Sequence, residues 1–235
     1  MIAIPEGFEL VVDVKPIRRM VVGLTAGPGC GKTNFLLTAP DPIALYDMDT
    51  GTRGVIEKFV ASGKKIYRSK FDYRTVDKGI DINAAVEMWD RYRKTWKDWI
   101  QRSDTKTIAC DTGTEMWELA RLARLGKLSN VMPHNYGPVN AEFYDLIRLS
   151  DIYHKNFIFT HKVKEQYVND KFTGKYVRAG FKDMDFIIEV GLDLWKQDGV
   201  FYATINKCRP RPELEGEVLE GDAVCWDVLE MMVFD

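Results

Sequence analysis

Residues 20–37 constrain the fold of this chain more than any other stretch. An apolar run, Met20-Val-Val-Gly-Leu24, leads into Ala26-Gly-Pro-Gly-Cys-Gly-Lys-Thr33, and Asn34-Phe-Leu-Leu37 leaves it. Strand, glycine-rich turn and helix, in that order, are the context a phosphate-binding P-loop requires. Gly27, Gly29 and Gly31 let backbone N–H groups face inward as a cradle for phosphate oxygens, with Pro28, Cys30 and Asn34 completing the turn. The helix that follows points the positive end of its dipole at the same spot. Lys32 supplies a full charge for the β- and γ-phosphates, and Thr33 supplies a hydroxyl for Mg²⁺. Ala26 stands where the strict pattern has Gly. The stretch predicts a nucleoside triphosphate site served by Mg²⁺.

A chain of 235 residues, 46% hydrophobic and 29% charged, suits one α/β domain over residues 1–235. Within it, 1–19 reads as an N-terminal extension, 20–212 as the core and 213–235 as an acidic C-terminal segment. No apolar stretch reaches the roughly 18 residues a membrane span needs, and the N-terminus lacks a secretion signal, so no membrane contact is expected. Cys30, Cys110, Cys208 and Cys225 form no Cys-x-x-Cys pair. That argues against a zinc ribbon and suits a reducing cytosol. The net charge of −2 gives no global sign of nucleic-acid binding, but its distribution is uneven. Residues 162–182 hold six basic and two acidic side chains, whereas 213–235 hold eight acidic and no basic ones. The acidic segment is expected to compete with nucleic acid for the basic one.

A short strand is expected over 8–14. After the P-loop helix, Ile43-Ala-Leu-Tyr46 reads as a central parallel strand ending in Asp47-Met-Asp49. Carboxylates at such a strand end lie where ligands bind in open α/β sheets. Residues 81–101 form an amphipathic helix whose stripe of Val86, Trp89, Tyr92, Trp96, Trp99 and Ile100 reads as core rather than as a base-stacking surface. Thr105-Lys-Thr-Ile-Ala-Cys-Asp111 is a buried strand ending in a carboxylate, the Walker B pattern; a helix-capping Asp is the alternative. Asn156-Phe-Ile-Phe-Thr160 is a third buried strand, ending at His161. Residues 164–181 alternate as a β-hairpin, with Tyr167, Phe172 and Tyr176 interleaved among Lys164, Lys171, Lys175 and Arg178. That mixture suits stacking on bases while neutralising phosphates; an ordinary exposed hairpin fits it equally. Strands are expected over 185–190, 192–196 and 199–206, and a short helix over 224–232.

The order of these motifs resembles the RecA-like ATPase core. It runs from the P-loop through Asp-x-Asp, Asp111-Thr, Tyr136-Gly-x-x-Asn140 and Thr160-His161 to Asn206-Lys-x-Arg209. More narrowly it resembles the small phage-encoded RecA-like ATPases of single-strand annealing and recombination. The resemblance implies a mostly parallel central sheet flanked by helices, with a β-hairpin and C-terminal antiparallel strands. It implies ATP and Mg²⁺ as cofactors, single-stranded DNA as partner, and self-association into a ring or filament. It also implies a single-strand-binding or annealing protein as companion, in the cytoplasm of an infected host cell. Lys32 and Thr33 match the phosphate and Mg²⁺ pair, and Asp111 the Walker B Asp. Asp49 falls where such enzymes keep a water-activating Glu, and Asp47 can share that duty. His161 falls at a γ-phosphate sensor, residues 164–178 at a DNA-contacting loop. Lys207, or Arg209, falls at a cation inserted into the neighbouring subunit's site. The lysine expected two residues before Lys207 is Ile205. A nucleotide kinase and a non-hydrolysing, nucleotide-dependent interaction module share the P-loop and are the competing readings.

Overall fold

The structure is a computed structural model that describes residues 17–71, 74–75, 79–128 and 131–235. The strand expected over 8–14 lies outside the described residues. In chain order the elements are β1 (Val21–Thr25), α1 (Lys32–Thr38), β2 (Ile43–Asp47), α2 (Ile56–Ala61) and β3 (Ile66–Lys70). A short pair follows, β4 (Arg74–Thr75) and β5 (Gly79–Ile80), then α3 (Ile82–Gln101), β6 (Thr107–Asp111) and α4 (Gly113–Leu125). The second half comprises α5 (Tyr136–Tyr153), β7 (Asn156–His161), β8 (Val163–Val168), β9 (Lys171–Arg178), α6 (Met184–Ile187), β10 (Val190–Gln197), β11 (Val200–Cys208), β12 (Val218–Glu220) and α7 (Trp226–Phe234).

Eight strands form one sheet in the order β12-β11-β10-β1-β7-β6-β2-β3. The six from β10 to β3 are parallel, and β11 and β12 add antiparallel at one edge. This is the expected architecture. Two strands, β7 and β6, separate the P-loop strand from β2.

Strand side chains alternate between two cores, as the pleat requires. Ile108, Cys110, Phe157 and Phe159 face α3, α4 and α5, whereas Ala109, Ile158, Val22 and Leu24 face α1 and α7. Both faces being covered, these strands read as continuous apolar runs. The α3 stripe is core: Trp89, Tyr92 and Trp96 are fully buried, with Tyr92 and Trp96 rings stacked at 5.5 Å. Their indole N–H groups are satisfied, Trp89 by Glu142 at 2.9 Å and Trp96 by the Leu146 carbonyl at 3.1 Å. Asp81 caps α3 by accepting from the Ala84 N–H.

One expectation needs correction. Residues 185–190 do not form one strand: Met184–Ile187 make a helical turn, and β10 begins only at Val190. Met184 and Ile188, four apart, are both buried, while Phe186 between them is exposed, which is helical rather than alternating placement. The acidic C-terminal segment carries the short helix expected over 224–232, as α7. This helix seats Trp226, Leu229 and Val233 in the core shared with Phe35, Leu36 and Leu37 of α1. The Trp226 N–H donates to Thr38 Oγ1 at 2.8 Å.

Candidate nucleotide site

Parallel register brings the candidate polar groups to one rim. Thr25 lies beside His161 where β1 pairs with β7, and Asp47 beside Asp111 where β2 pairs with β6. The P-loop crosses this rim. Gly29 and Gly31 have φ of +72° and +86°, a left-handed backbone that favours glycine. An added Cβ at Gly27 or Gly29 would meet no atom beyond its chain neighbours within 4 Å, so both positions face open space.

Lys32 turns its ammonium onto the loop itself, donating to the Ala26 and Gly27 carbonyls at 2.8 Å each. Burial lowers its pKa, opposed first by the nearby Asp111 charge. Thr33 Oγ1 donates to Asp111 Oδ2 at 2.7 Å, and Thr160 Oγ1 bonds the other Asp111 oxygen. Asp111 is almost fully buried, which raises its pKa against those two hydrogen bonds. A hydroxyl and a carboxylate this close at the mouth of an open phosphate cradle fit a hard, oxygen-liking cation. Asp111 does not cap α4: that role falls to Thr112, whose side chain accepts from the Glu115 N–H.

Asp47 is buried and held by its own loop, accepting from Thr52 Oγ1 at 2.7 Å with Arg68 at 3.9 Å. Asp49 is the more open of the two; its Oδ1 accepts from the Gly51 N–H at 3.0 Å. Its Oδ2 lies 3.6 Å from Lys162 Nζ. Lys162 also pairs with Glu115, a carboxylate whose pKa burial raises. Sequence reading singled out Thr160, with His161, as a polar strand end, and passed over Lys162 and Glu115 as site residues. The signal for Glu115 was its place four residues after Asp111, in the first turn of α4.

His161 is fully buried, and neither ring nitrogen makes a hydrogen bond of acceptable geometry. Burial, then the charge of Arg178, pulls its pKa from 6.5 to about 3, so the ring is neutral. It packs beneath Gly113, where an added Cβ would meet His161 Cε1 at 2.8 Å.

A cleft of about 800 Å³ opens from the P-loop. It is lined by Gly29 to Asn34 and Lys58, and also by Gly199 to Phe201 and by Gly221, Asp222, Val224 and Cys225. The β10–β11 turn and the C-terminal segment therefore form a wall that no sequence motif announced.

The hairpin of β8 and β9 stands apart as its own two-stranded sheet. Tyr167, Phe172 and Tyr176 are exposed and mutually close, with ring centroids 5.9 and 5.8 Å apart. Lys164, Lys171 and Lys175 are exposed beside them. Arg178 differs from the expectation: it lies at the hairpin base with its guanidinium on Asp185 at 2.6 Å, its side chain only 11% exposed. Lys207 and Arg209 are engaged within their own chain. Lys207 donates to the Asp185 and Ile188 carbonyls, and Arg209 to that of Phe186. Ile205 is fully buried, which is why an apolar residue stands there.

The sequence profile of the AAA domain family matches residues 18–185. The chain belongs to this AAA domain family. The matched span covers the P-loop, Asp49, Asp111, His161 and the whole hairpin; β10, β11 and α7 lie beyond it. No curated protein matches the chain. Among solved structures it is similar to a KaiC-like protein from the hyperthermophilic archaeon Pyrococcus horikoshii, with 17% identity and a TM-score of 0.47, over 81% of this chain and 79% of that one. It is also similar to the RadB recombinase, with 13% identity and a TM-score of 0.47, over 85% and 86%.

Proposed function

We propose that this AAA domain protein is a Mg²⁺-dependent ATPase that acts on single-stranded DNA and self-associates into a ring or filament. The observation that carries the reading is the meeting of Lys32, the Thr33–Asp111 pair and Asp49 at one rim. The aromatic and lysine surface of β8–β9 starts from the same rim, directly after β7. Thr33 and Asp111 would hold Mg²⁺, which when bound supplies positive charge at the β- and γ-phosphate oxygens. Lys32 would leave the loop carbonyls for those oxygens. Asp49 would take the proton of the attacking water as its oxygen bonds the γ-phosphorus and the bond to the bridging oxygen breaks, releasing ADP and phosphate. The work is positioning and charge neutralisation. The cleft beside the P-loop would take the base and ribose. The motif order supports a place in phage recombination, annealing or replication, beside a single-strand-binding or annealing protein in the cytoplasm.

A second reading, a nucleotide-dependent interaction module with little hydrolysis, is favoured by Asp49 being held by Lys162 and one methylene shorter than Glu. ATP turnover with and without single-stranded DNA separates the two. Turnover should rise with DNA and fall by at least about 100-fold in Lys32→Ala, the scale set by losing a preorganised charge at the transferred phosphate. Tight ATP binding without phosphate release, with or without DNA, selects the module.

A further inference from the structure

Lys162 occupies the seam between the rim carboxylates and the hairpin, between the last residue of β7 and the first of β8. Its Nζ donates to Glu115 and lies within ion-pair range of Asp49, 3.6 Å from Oδ2. Its backbone is fixed by α4 on one side and by the hairpin's other foot on the other. The Lys162 N–H donates to Thr114 Oγ1 at 3.1 Å, and its carbonyl accepts from the Ala179 N–H at 2.7 Å. Thr114 Oγ1 in turn donates to the Ala179 carbonyl at 3.1 Å. The two feet of the hairpin, residues 162 and 179, thus set where the ammonium stands. On Asp49, one oxygen is turned onto the Gly51 N–H and the other faces that ammonium. A carboxylate so engaged is not aimed at a water, and a general base must come within hydrogen-bond reach of the proton it takes.

We propose that Lys162 is a clamp on Asp49 that ties ATP turnover to the state of the hairpin. With the hairpin empty, the ammonium holds the carboxylate. A strand of nucleic acid that shifts the feet carries the ammonium away from Asp49 while it keeps its hydrogen bond to Glu115, and frees Asp49 for the attacking water. The inference rests on Asp49 being the base; Lys162 acts through it and is a positioning residue.

The test is steady-state ATP hydrolysis by the full chain with and without an oligo-dT strand. Lys162→Met should raise the DNA-free kcat by about 3- to 10-fold, a part of the roughly 10²–10⁴ a placed general base supplies, with KM changed by less than about twofold. The ratio of stimulated to basal rate should fall toward one. Lys162→Arg, which keeps the cation, should restore the low basal rate. Thr114→Val loosens the hairpin feet without touching the Lys162 charge. It should raise the basal rate in the same direction, so the idea stays testable where Lys162→Met folds poorly. A basal kcat that falls in Lys162→Met overturns the clamp, because the ammonium would then be serving the γ-phosphate directly; an unchanged one overturns it equally. Failure of the underlying assignment shows separately, as Asp49→Asn turning over like the parent.

Discussion

At the scale of single residues, burial decides what the rim groups can do. His161 stands at a strand end where a phosphate sensor was expected, yet its ring is enclosed and neutral. The unfolded chain takes up a proton on this side chain below pH 6.5, while the folded chain resists doing so until about pH 3. The stability it contributes is therefore fully present above pH 6.5 and falls as pH drops through that window, by at most about 1.4 kcal/mol per pH unit. Asp111 and Glu115 act with the opposite sign: burial raises both, so their protonation favours the folded state as pH falls. His161→Gln separates the two effects, because it removes only the first. Between about pH 7 and about pH 5 its Tm should drop less than that of the parent. Equal slopes would mean that the histidine is charged in the fold. The sequence shows which residues end the strands; it does not show that the next helix, through Gly113, closes over one of them.

At the scale of elements, the hairpin and the short turn after it show how periodicity succeeds and fails. Polar and aromatic alternation over 164–181 was enough to find β8 and β9, since an exposed two-stranded ribbon is shaped by its own turn and cross-strand pairs. The run Phe186-Ile-Ile188 was read as a strand because a short apolar run carries no period of its own. What fixes it as α6 is tertiary. Met184 and Ile188 reach the core one turn apart, and the carbonyls they bracket are held by Lys207 and Arg209 from β11 and its end. If the hairpin carries the nucleic acid, its exposed rings and lysines should contribute differently. Phe172→Ala should weaken oligo-dT binding by about 1–3 kcal/mol at any salt, the scale of one lost stacking platform. Lys175→Ala should weaken it more at low salt than at high and flatten the salt dependence by about 0.7 on the log–log slope. Fluorescence anisotropy over a salt series distinguishes these. Affinity unchanged in both variants would remove the hairpin as the binding face.

At the scale of the whole molecule, the sheet joins the candidate nucleotide cleft to the acidic C-terminal segment. Eight acidic residues over 213–235 mark the segment by charge, and a short helix was expected over 224–232; what the charge count does not show is that Trp226, Leu229 and Val233 on one face of that helix enter the core. That face completes the core under α1, and Gly221, Asp222, Val224 and Cys225 just before it line the cleft with the P-loop. If the cleft takes the nucleotide as proposed, stability and nucleotide binding are coupled through Trp226. Trp226→Ala should destabilise the chain by about 3–5 kcal/mol, the usual loss for a large aromatic removed from a packed core. ATP that binds only the folded state raises stability by about 2.7 kcal/mol at 100 times its Kd, so the parent should melt higher with Mg²⁺-ATP present. In Trp226→Ala that ATP-dependent rise should shrink as well, because the wall of the cleft has lost its support. Trp226→Phe, which keeps a ring in place, should recover most of both. A variant that loses melting temperature yet keeps the full ATP-dependent rise would show that α7 supports the core alone, and that the nucleotide is held by the P-loop without the C-terminal wall.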